Sequence, residues 1–194
     1  MLTIIDYKLG SVDKVADALN EAGVKFRITR NENDIICSEK IILPGTEEAF
    51  SAVKKLHLLN LFTVLRIVKK PVLGIGIGMQ LLSEFSKEGD VACLGKFPGT
   101  VTKFSEPAAK VPFTENSNIR IEKGSKLFNK IKDMDEFRFC NSYFLEINEY
   151  TTASAFNGIR FTAAIEKENF YGVQFHPEES GNAGLQLLLN FAEL

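Results

Sequence analysis

The sequence predicts an α/β fold: a doubly wound, mostly parallel sheet of flavodoxin-like order carrying an antiparallel extension. Short apolar runs alternate with stretches of helical periodicity through the N-terminal half. The runs are apolar throughout, as strands buried on both faces must be. Beyond Leu94 the pattern changes to strand-like segments with few helices.

Leu2 to Asp6 is the first apolar run, and Val12, Val15, Ala16, Leu19 and Ala22 then recur at helical spacing until Gly23 stops the pattern. Val24 to Thr29 alternates apolar and polar residues, a polar stretch follows from Arg30 to Asn33, and Lys40-Ile-Ile-Leu-Pro-Gly45 is a buried strand ending in a turn. A second helix is expected over Glu48 to Val68, a strand over Pro71 to Ile75, and a helix from Met79 to Phe85 that begins abruptly after Gly78. With right-handed crossovers, ligands sit at the carboxyl ends of such strands. Gly99 to Phe104, Asn118 to Glu122, Phe137 to Glu146, Thr152 to Phe156 and Phe161 to Ile165 are expected to extend the sheet antiparallel. A last strand, Phe170 to Phe175, precedes a helix from Asn182 with Leu185, Leu188, Leu189 and Phe191 on one side. The reading is one domain over residues 1–194.

Composition narrows the function classes. A hydrophobic content of 45%, a charged content of 25% and a mean hydropathy of -0.01 exclude a disordered chain. Lys and Arg are scattered and the net charge is -2, so no basic stripe predicts a nucleic-acid partner. The longest apolar stretch, Leu56 to Leu65, is flanked by Lys54, Lys55 and Arg66 and is about half as long as a membrane span requires, so it reads as a core helix. The start of the chain reads as a first strand and lacks the basic, long apolar pattern of a secretion signal. Cys37, Cys93 and Cys140 are widely spaced, odd in number and without metal spacing. Such usage fits buried structural thiols in a reducing compartment, and a cytoplasmic protein without metal or cofactor is expected.

The chemistry concentrates in Pro71-Val-Leu-Gly-Ile-Gly-Ile-Gly-Met-Gln80. Residue 76 falls on a sharp turn between a buried strand and a helix, with Gly74 and Gly78 allowing the two to approach closely. This is nucleophile-elbow architecture, with a helix N-terminus that favours developing negative charge. The Ile77 N–H is positioned as one oxyanion donor. Gly74-x-Gly76-x-Gly78 also mimics a dinucleotide fingerprint, but its spacing and its place on a late strand disqualify it.

Gly-Ile-x-x-Gly-Met-Gln resembles the signature of class I (triad type) glutamine amidotransferases, whose central position is cysteine; here it is Gly76. Tyr171-Gly-Val-Gln-Phe-His-Pro-Glu-Glu-Ser180 resembles the family's histidine and glutamate segment. The resemblance implies His176 as base, Glu178 as its orienting carboxylate, Gly45 with Ile77 as oxyanion hole, and Gln80, Ser142 and Tyr143 as glutamine-binding residues. In that chemistry a thiolate attacks the glutamine amide, histidine shuttles the proton, and ammonia leaves for a second active site. Ile5-Asp-Tyr7 with Gly10, Leu43-Pro-Gly45, Asn141-Ser-Tyr143 and His176-Pro-Glu178 with Gly181, Ala183, Gly184 and Leu185 look most like the glutaminase subunit of imidazole glycerol phosphate synthase. That implies a cyclase-like synthase partner in a heterodimer.

The departures are specific. Besides Gly76, the oxyanion loop reads Pro44-Gly-Thr-Glu-Glu48, with one extra residue and two carboxylates near the site. Val111-Pro-Phe-Thr-Glu-Asn-Ser117 replaces the subfamily's Val-Pro-His-Met-Gly-Trp-Asn, and Asn141 replaces a histidine; in the family these stretches face the partner and the ammonia entrance. Gly76 admits three readings: a degenerate enzyme, an introduced change, or a nucleophile supplied from elsewhere. No cysteine qualifies for the last by position. Drift across several loops favours the first, a glutaminase-like subunit without turnover that serves as partner of a synthase fed with ammonia from solution. The rivals are an active glutaminase of histidine biosynthesis or of surface-sugar amidation with Gly76 introduced, and a free-standing module that binds a small amide or carboxylate. His57, without motif context, reads as a helix surface residue.

Overall fold

The computed structural model describes residues 1–7, 12–45 and 48–194. Strands β1 (Leu2–Ile5), β2 (Phe26–Thr29), β3 (Lys40–Leu43) and β4 (Val72–Ile75) are interleaved with helices α1 (Val12–Glu21), α2 (Glu32–Ile36), α3 (Ala49–Leu58) and α4 (Leu61–Ile67). Helix α5 (Ile77–Leu81) follows β4 at once. Then come β5 (Phe85–Ser86), β6 (Val91–Ala92), β7 (Thr100–Lys103), β8 (Phe113–Asn118), β9 (Arg120–Ile121), β10 (Glu136–Asn141), β11 (Tyr143–Leu145), β12 (Thr151–Asn157), β13 (Ile159–Lys167), β14 (Phe170–Val173) and α6 (Gly181–Glu193).

The main sheet has eight strands in the order β2-β1-β3-β4-β14-β13-β12-β9. Pairing is parallel from β2 to β14 and antiparallel from β14 to β9, which is the predicted doubly wound sheet with its extension. The fully buried runs of β1, β4 and β14 reflect helices on both faces. On one face α1 and α6 pack with Leu2, Ile4, Ile42, Leu73 and Val173; on the other, α3, α4 and α5 pack with Ile5, Ile41, Leu43 and Val72.

Two of the segments expected in the extension lie elsewhere. β10 pairs with β8 in a two-stranded ribbon, while β7 and β11 join β5 and β6 in a four-stranded sheet. The strand expected over Phe137 to Glu146 is interrupted at Ser142 between β10 and β11. The cause is a phenylalanine cluster that period-2 reading cannot see. Phe161 of β13 makes edge contacts with Phe104, Phe113, Phe139 and Phe144, which lie in or beside the strands of the two smaller sheets. All are buried, so the three sheets share one aromatic core.

The long helix expected over Glu48 to Val68 is two helices. Asn60 takes φ 57°, a left-handed conformation that asparagine tolerates, and the chain restarts as α4. Leu58 is 69% exposed in consequence, so Leu56 to Leu65 is not core throughout. Helix α2 begins in the expected polar stretch and runs past its end at Asn33, because the Asn31 side chain accepts from Asn33 N and Asp34 N at 2.9 and 3.3 Å. Helix α5 starts earlier than expected and ends at Leu81, and Phe85 belongs to β5. In α6 the buried residues are Gly184, Leu187, Leu188, Asn190 and Phe191; Leu185 and Leu189 are only partly covered. The three thiols are not all buried: Cys93 is, but Cys37 ends α2 at the surface and Cys140 occupies the outward alternate of β10.

Candidate active site

Strand register builds the site. Leu43 of β3 lies opposite Gly74 of β4, and Ile75 of β4 opposite Val173 of β14. Gly45, Gly76 and His176 therefore emerge together past the carboxyl ends of three adjacent parallel strands. The Gly76 N–H donates to Val173 O at 2.8 Å, and the residue holds φ 56°, ψ -119°, a conformation nearly restricted to glycine. A Cβ at Gly74 would lie 2.5 Å from Gly78 O, and one at Gly78 would lie 2.1 Å from Leu43 O. These two glycines let α5 sit directly on the strands. At residue 76 the surroundings differ: a Cβ there would meet His176 Cε1 at 3.2 Å, His176 Nε2 at 3.3 Å and Gly45 Cα at 3.9 Å. The position aims at the imidazole.

His176 Nδ1 stands 2.9 Å from Glu178 Oε1, with the His176 side chain 17% exposed and that of Glu178 at 0%. Against a carboxylate Nδ1 carries the proton, which leaves the Nε2 lone pair facing Gly76. Ser180 fixes this turn: its Oγ donates to His176 O at 2.6 Å and accepts from Arg138 N at 2.9 Å. The His176 N–H in turn donates to Arg138 O at 2.8 Å, so the histidine turn is stitched to β10. On the outer side Lys14 of α1 pairs with Glu179 at 2.5 Å. The Lys14 hydrogen bond holds the Glu179 carboxyl below its ordinary range against some burial.

The remaining sequence-derived candidates fall around this centre. Ile77 opens α5, where its N–H has no intrahelical acceptor. Tyr7 donates its hydroxyl to Pro44 O, anchoring the strand end before Gly45. Thr46, Glu47 and Gly10 lie outside the described residues, and with them the extra residue of the oxyanion loop. The carboxylate of Glu48 is turned onto its own helix, accepting from Ser51 Oγ at 2.7 Å. Gln80 is buried, its amide donating to Tyr143 O at 3.0 Å and Gln174 Oε1 at 2.9 Å. Asn141 Nδ2 donates to the same Tyr143 carbonyl at 2.9 Å. Gln80 and Tyr143 are thus brought together, but through a tie between α5 and β11, while the Ser142 carbonyl accepts from Phe104 N at 3.0 Å. Phe113, in the stretch expected to face a partner, is 1% exposed; only the alternates Thr114, Asn116 and Asn118 reach the ribbon's outer edge.

Residues without an assigned role in the sequence also matter. Ser180 was visible only as the end of a motif, and Gln174 only as a letter within it. Glu88 carried no signal. It reaches across to accept from Ala49 N at 2.9 Å, at the start of the helix that follows the Gly45 loop, and burial raises its carboxyl above the ordinary range. Among the described residues no group of His, Cys, Asp and Glu is arranged to hold a metal ion.

Comparison with known proteins agrees with this architecture. The family model described as glutamine amidotransferase class-I matches residues 3–193, and the chain belongs to that family. Within it, the chain is similar to the imidazole glycerol phosphate synthase subunit HisH of Haemophilus influenzae, 38% identical with 99% of this chain and 96% of the relative covered. It is also similar to HisH of Escherichia coli K12, 36% identical with 100% and 99% covered. Among solved structures, a glutamine amidotransferase superposes with a TM-score of 0.78 at 14% identity over 100% of this chain and 99% of the other. PurLQS of Thermotoga maritima gives a TM-score of 0.71 at 18% identity over 99% and 97%. These distant structures establish the fold.

Proposed function

We propose that this chain is a HisH-like glutamine amidotransferase subunit that has lost its own nucleophile at Gly76, does not hydrolyse glutamine unaided, and serves as the partner of a cyclase-like synthase. The observation that carries the reading is the pairing of an intact elbow with an intact base. Residue 76 holds the φ 56°, ψ -119° conformation, and a side chain there would meet His176 Nε2 at 3.3 Å, yet glycine offers no sulfur. Removing a triad nucleophile eliminates most of the rate because the other members act only through it. His176 and Glu178 are then a retained base and orienter, Ile77 and Gly45 a retained oxyanion hole, and Gln80, Ser142 and Tyr143 the frame of the glutamine pocket. We further propose that residues 1–194 work as one domain, since the main sheet draws strands from both ends of the chain. No helix of the described residues is long and apolar enough to cross a membrane. A cytoplasmic heterodimer is the setting this reading assigns.

The test is ammonia release from glutamine in thiol-free buffer, with and without a cyclase-like synthase. The chain as it stands is expected to release none, and Gly76→Cys to release ammonia when the synthase is present. Turnover by the unaltered chain, or an inactive but folded and synthase-bound Gly76→Cys, refutes the proposal.

A further inference from the structure

We propose that the cavity between α2 and α4, at the amino ends of β3 and β4, binds a small monocarboxylate with a flat apolar body. It lies at the far end of these strands from the amidotransferase site. Ile36 ends α2 ahead of β3, and Val68 to Lys70 lead into β4, whereas Gly45 and Gly76 follow the carboxyl ends of the same two strands. The proposal goes beyond the amidotransferase reading and does not depend on it.

Size, charge and rigidity of the cavity each carry part of the case. Its volume is about 570 Å³, within the ~300–1,000 Å³ usual for small-molecule sites. Its apolar lining comes from Ile36, Phe62, Val64, Ile67 and Val68. Ile36 is 48% exposed and Ile67 70% exposed, so the fold leaves this apolar surface open. The left-handed Asn60 between α3 and α4 folds residue 62 back onto residue 57, and His57 stacks on Phe62 with ring centroids 4.1 Å apart and 19° between planes. Both rings line the cavity and give its wall the aromatic character on which a planar ligand packs.

Lys69, Lys70 and Glu32 line the same cavity, and two lysines against one glutamate suit a monoanion better than a cation or a phosphate dianion. Among the described residues neither lysine is in an ion pair, and Glu39, the acid that feels Lys70, is paired with the Met1 amino group. The segment that carries the two cations is also held in place. The Lys70 ammonium donates to Ile36 O, tying the segment to the end of α2, and Asn169 Nδ2 donates to Lys70 O at 2.6 Å and Val68 O at 3.4 Å. A cavity fixed in this way loses little conformational freedom when it takes a ligand.

The experiment is calorimetric titration of the full chain with indole-3-acetate. Indole-3-acetamide removes the charge, and cyclohexylacetate removes the planar ring. The expected result is saturable binding of one indole-3-acetate, with the amide weaker by about tenfold or more and cyclohexylacetate weaker by about threefold or more. Thr63→Trp, at an exposed position on the cavity wall, should abolish binding by filling the space. Lys69→Gln combined with Lys70→Gln should reduce indole-3-acetate to the level of the amide, and this variant decides the matter should Thr63→Trp not fold. Absence of saturable binding at millimolar concentration, equal affinity for acetate and amide, or binding unchanged in the folded variants overturns the inference. Competition by glutamine, which would place the ligand at the amidotransferase site, overturns it as well.

Discussion

Introducing a side chain at residue 76 should destabilise the protein, because the backbone conformation of the elbow suits glycine. At φ 56°, ψ -119° a Cβ introduces backbone strain of about 1–3 kcal/mol. Replacing glycine also removes conformational freedom from the unfolded chain, which offsets about 0.4–1 kcal/mol. The new Cβ would stand 3.2–3.3 Å from the His176 ring, closer than ordinary contact, and the ring is held by Glu178 and has little room to yield. The net expectation for Gly76→Cys is a loss of about 1–2 kcal/mol, or a melting temperature lower by about 2–8 °C for a chain of this size. Thermal and urea unfolding of the unaltered chain, Gly76→Cys and Gly76→Ala would measure it. Alanine separates backbone strain from any thiolate–imidazole attraction. Gly78→Ala is the yardstick: with Leu43 O only 2.1 Å from its Cβ, it should lose more than about 3 kcal/mol. A melting temperature for Gly76→Ala equal to or above that of the unaltered chain would refute the elbow geometry.

Ser180→Ala removes both a donor to His176 O and an acceptor from Arg138 N, and should destabilise by about 1–2 kcal/mol in urea unfolding while lowering the activity of the Gly76→Cys background. Glu88 gives a pH signature. Its folded carboxyl is raised by burial, so the folded state binds the proton more tightly than the unfolded chain. The stability this contributes is fully present below the unfolded value of 4.5 and is lost as pH rises through the raised folded value. Glu88→Gln should erase that dependence in unfolding measured across the acid range, because its amide oxygen can still accept from Ala49 N. Thiol titration with an aromatic disulfide should label Cys37 and Cys140 in the native protein and Cys93 only after unfolding, since burial pushes the Cys93 thiol up to about 11.

The parallel half of the sheet was legible because its strands are apolar runs punctuated by Gly23, Gly45 and Gly78, and because parallel register follows from the crossovers. The elbow was legible for a related reason: glycines at 74 and 78 are dictated by backbone atoms a few ångström away. His176 and Glu178 could be named because only Pro177 separates them and both fall in the segment that resembles the family's histidine and glutamate motif. What stayed hidden depends on long-range contacts. Asn60 breaks a helix with a single left-handed residue inside an apolar pattern. Phe104, Phe113, Phe139, Phe144 and Phe161 are scattered along the chain but converge on one core, which pulls two expected strands out of the main sheet. Glu88 and Ser180 act through hydrogen bonds to partners at sequence separations of 39 and 42, and no local pattern encodes those.

The delivery of Gly45, Gly76 and His176 by three neighbouring strands separates the making of the site from the chemistry within it. Each residue is placed by ladder hydrogen bonds and glycine contacts of the main chain, none of which needs a sulfur atom. Under the proposed function, loss of the nucleophile leaves the strand scaffold that delivers the rest of the site untouched. The fold builds the elbow, and the identity of residue 76 alone sets whether a nucleophile stands on it.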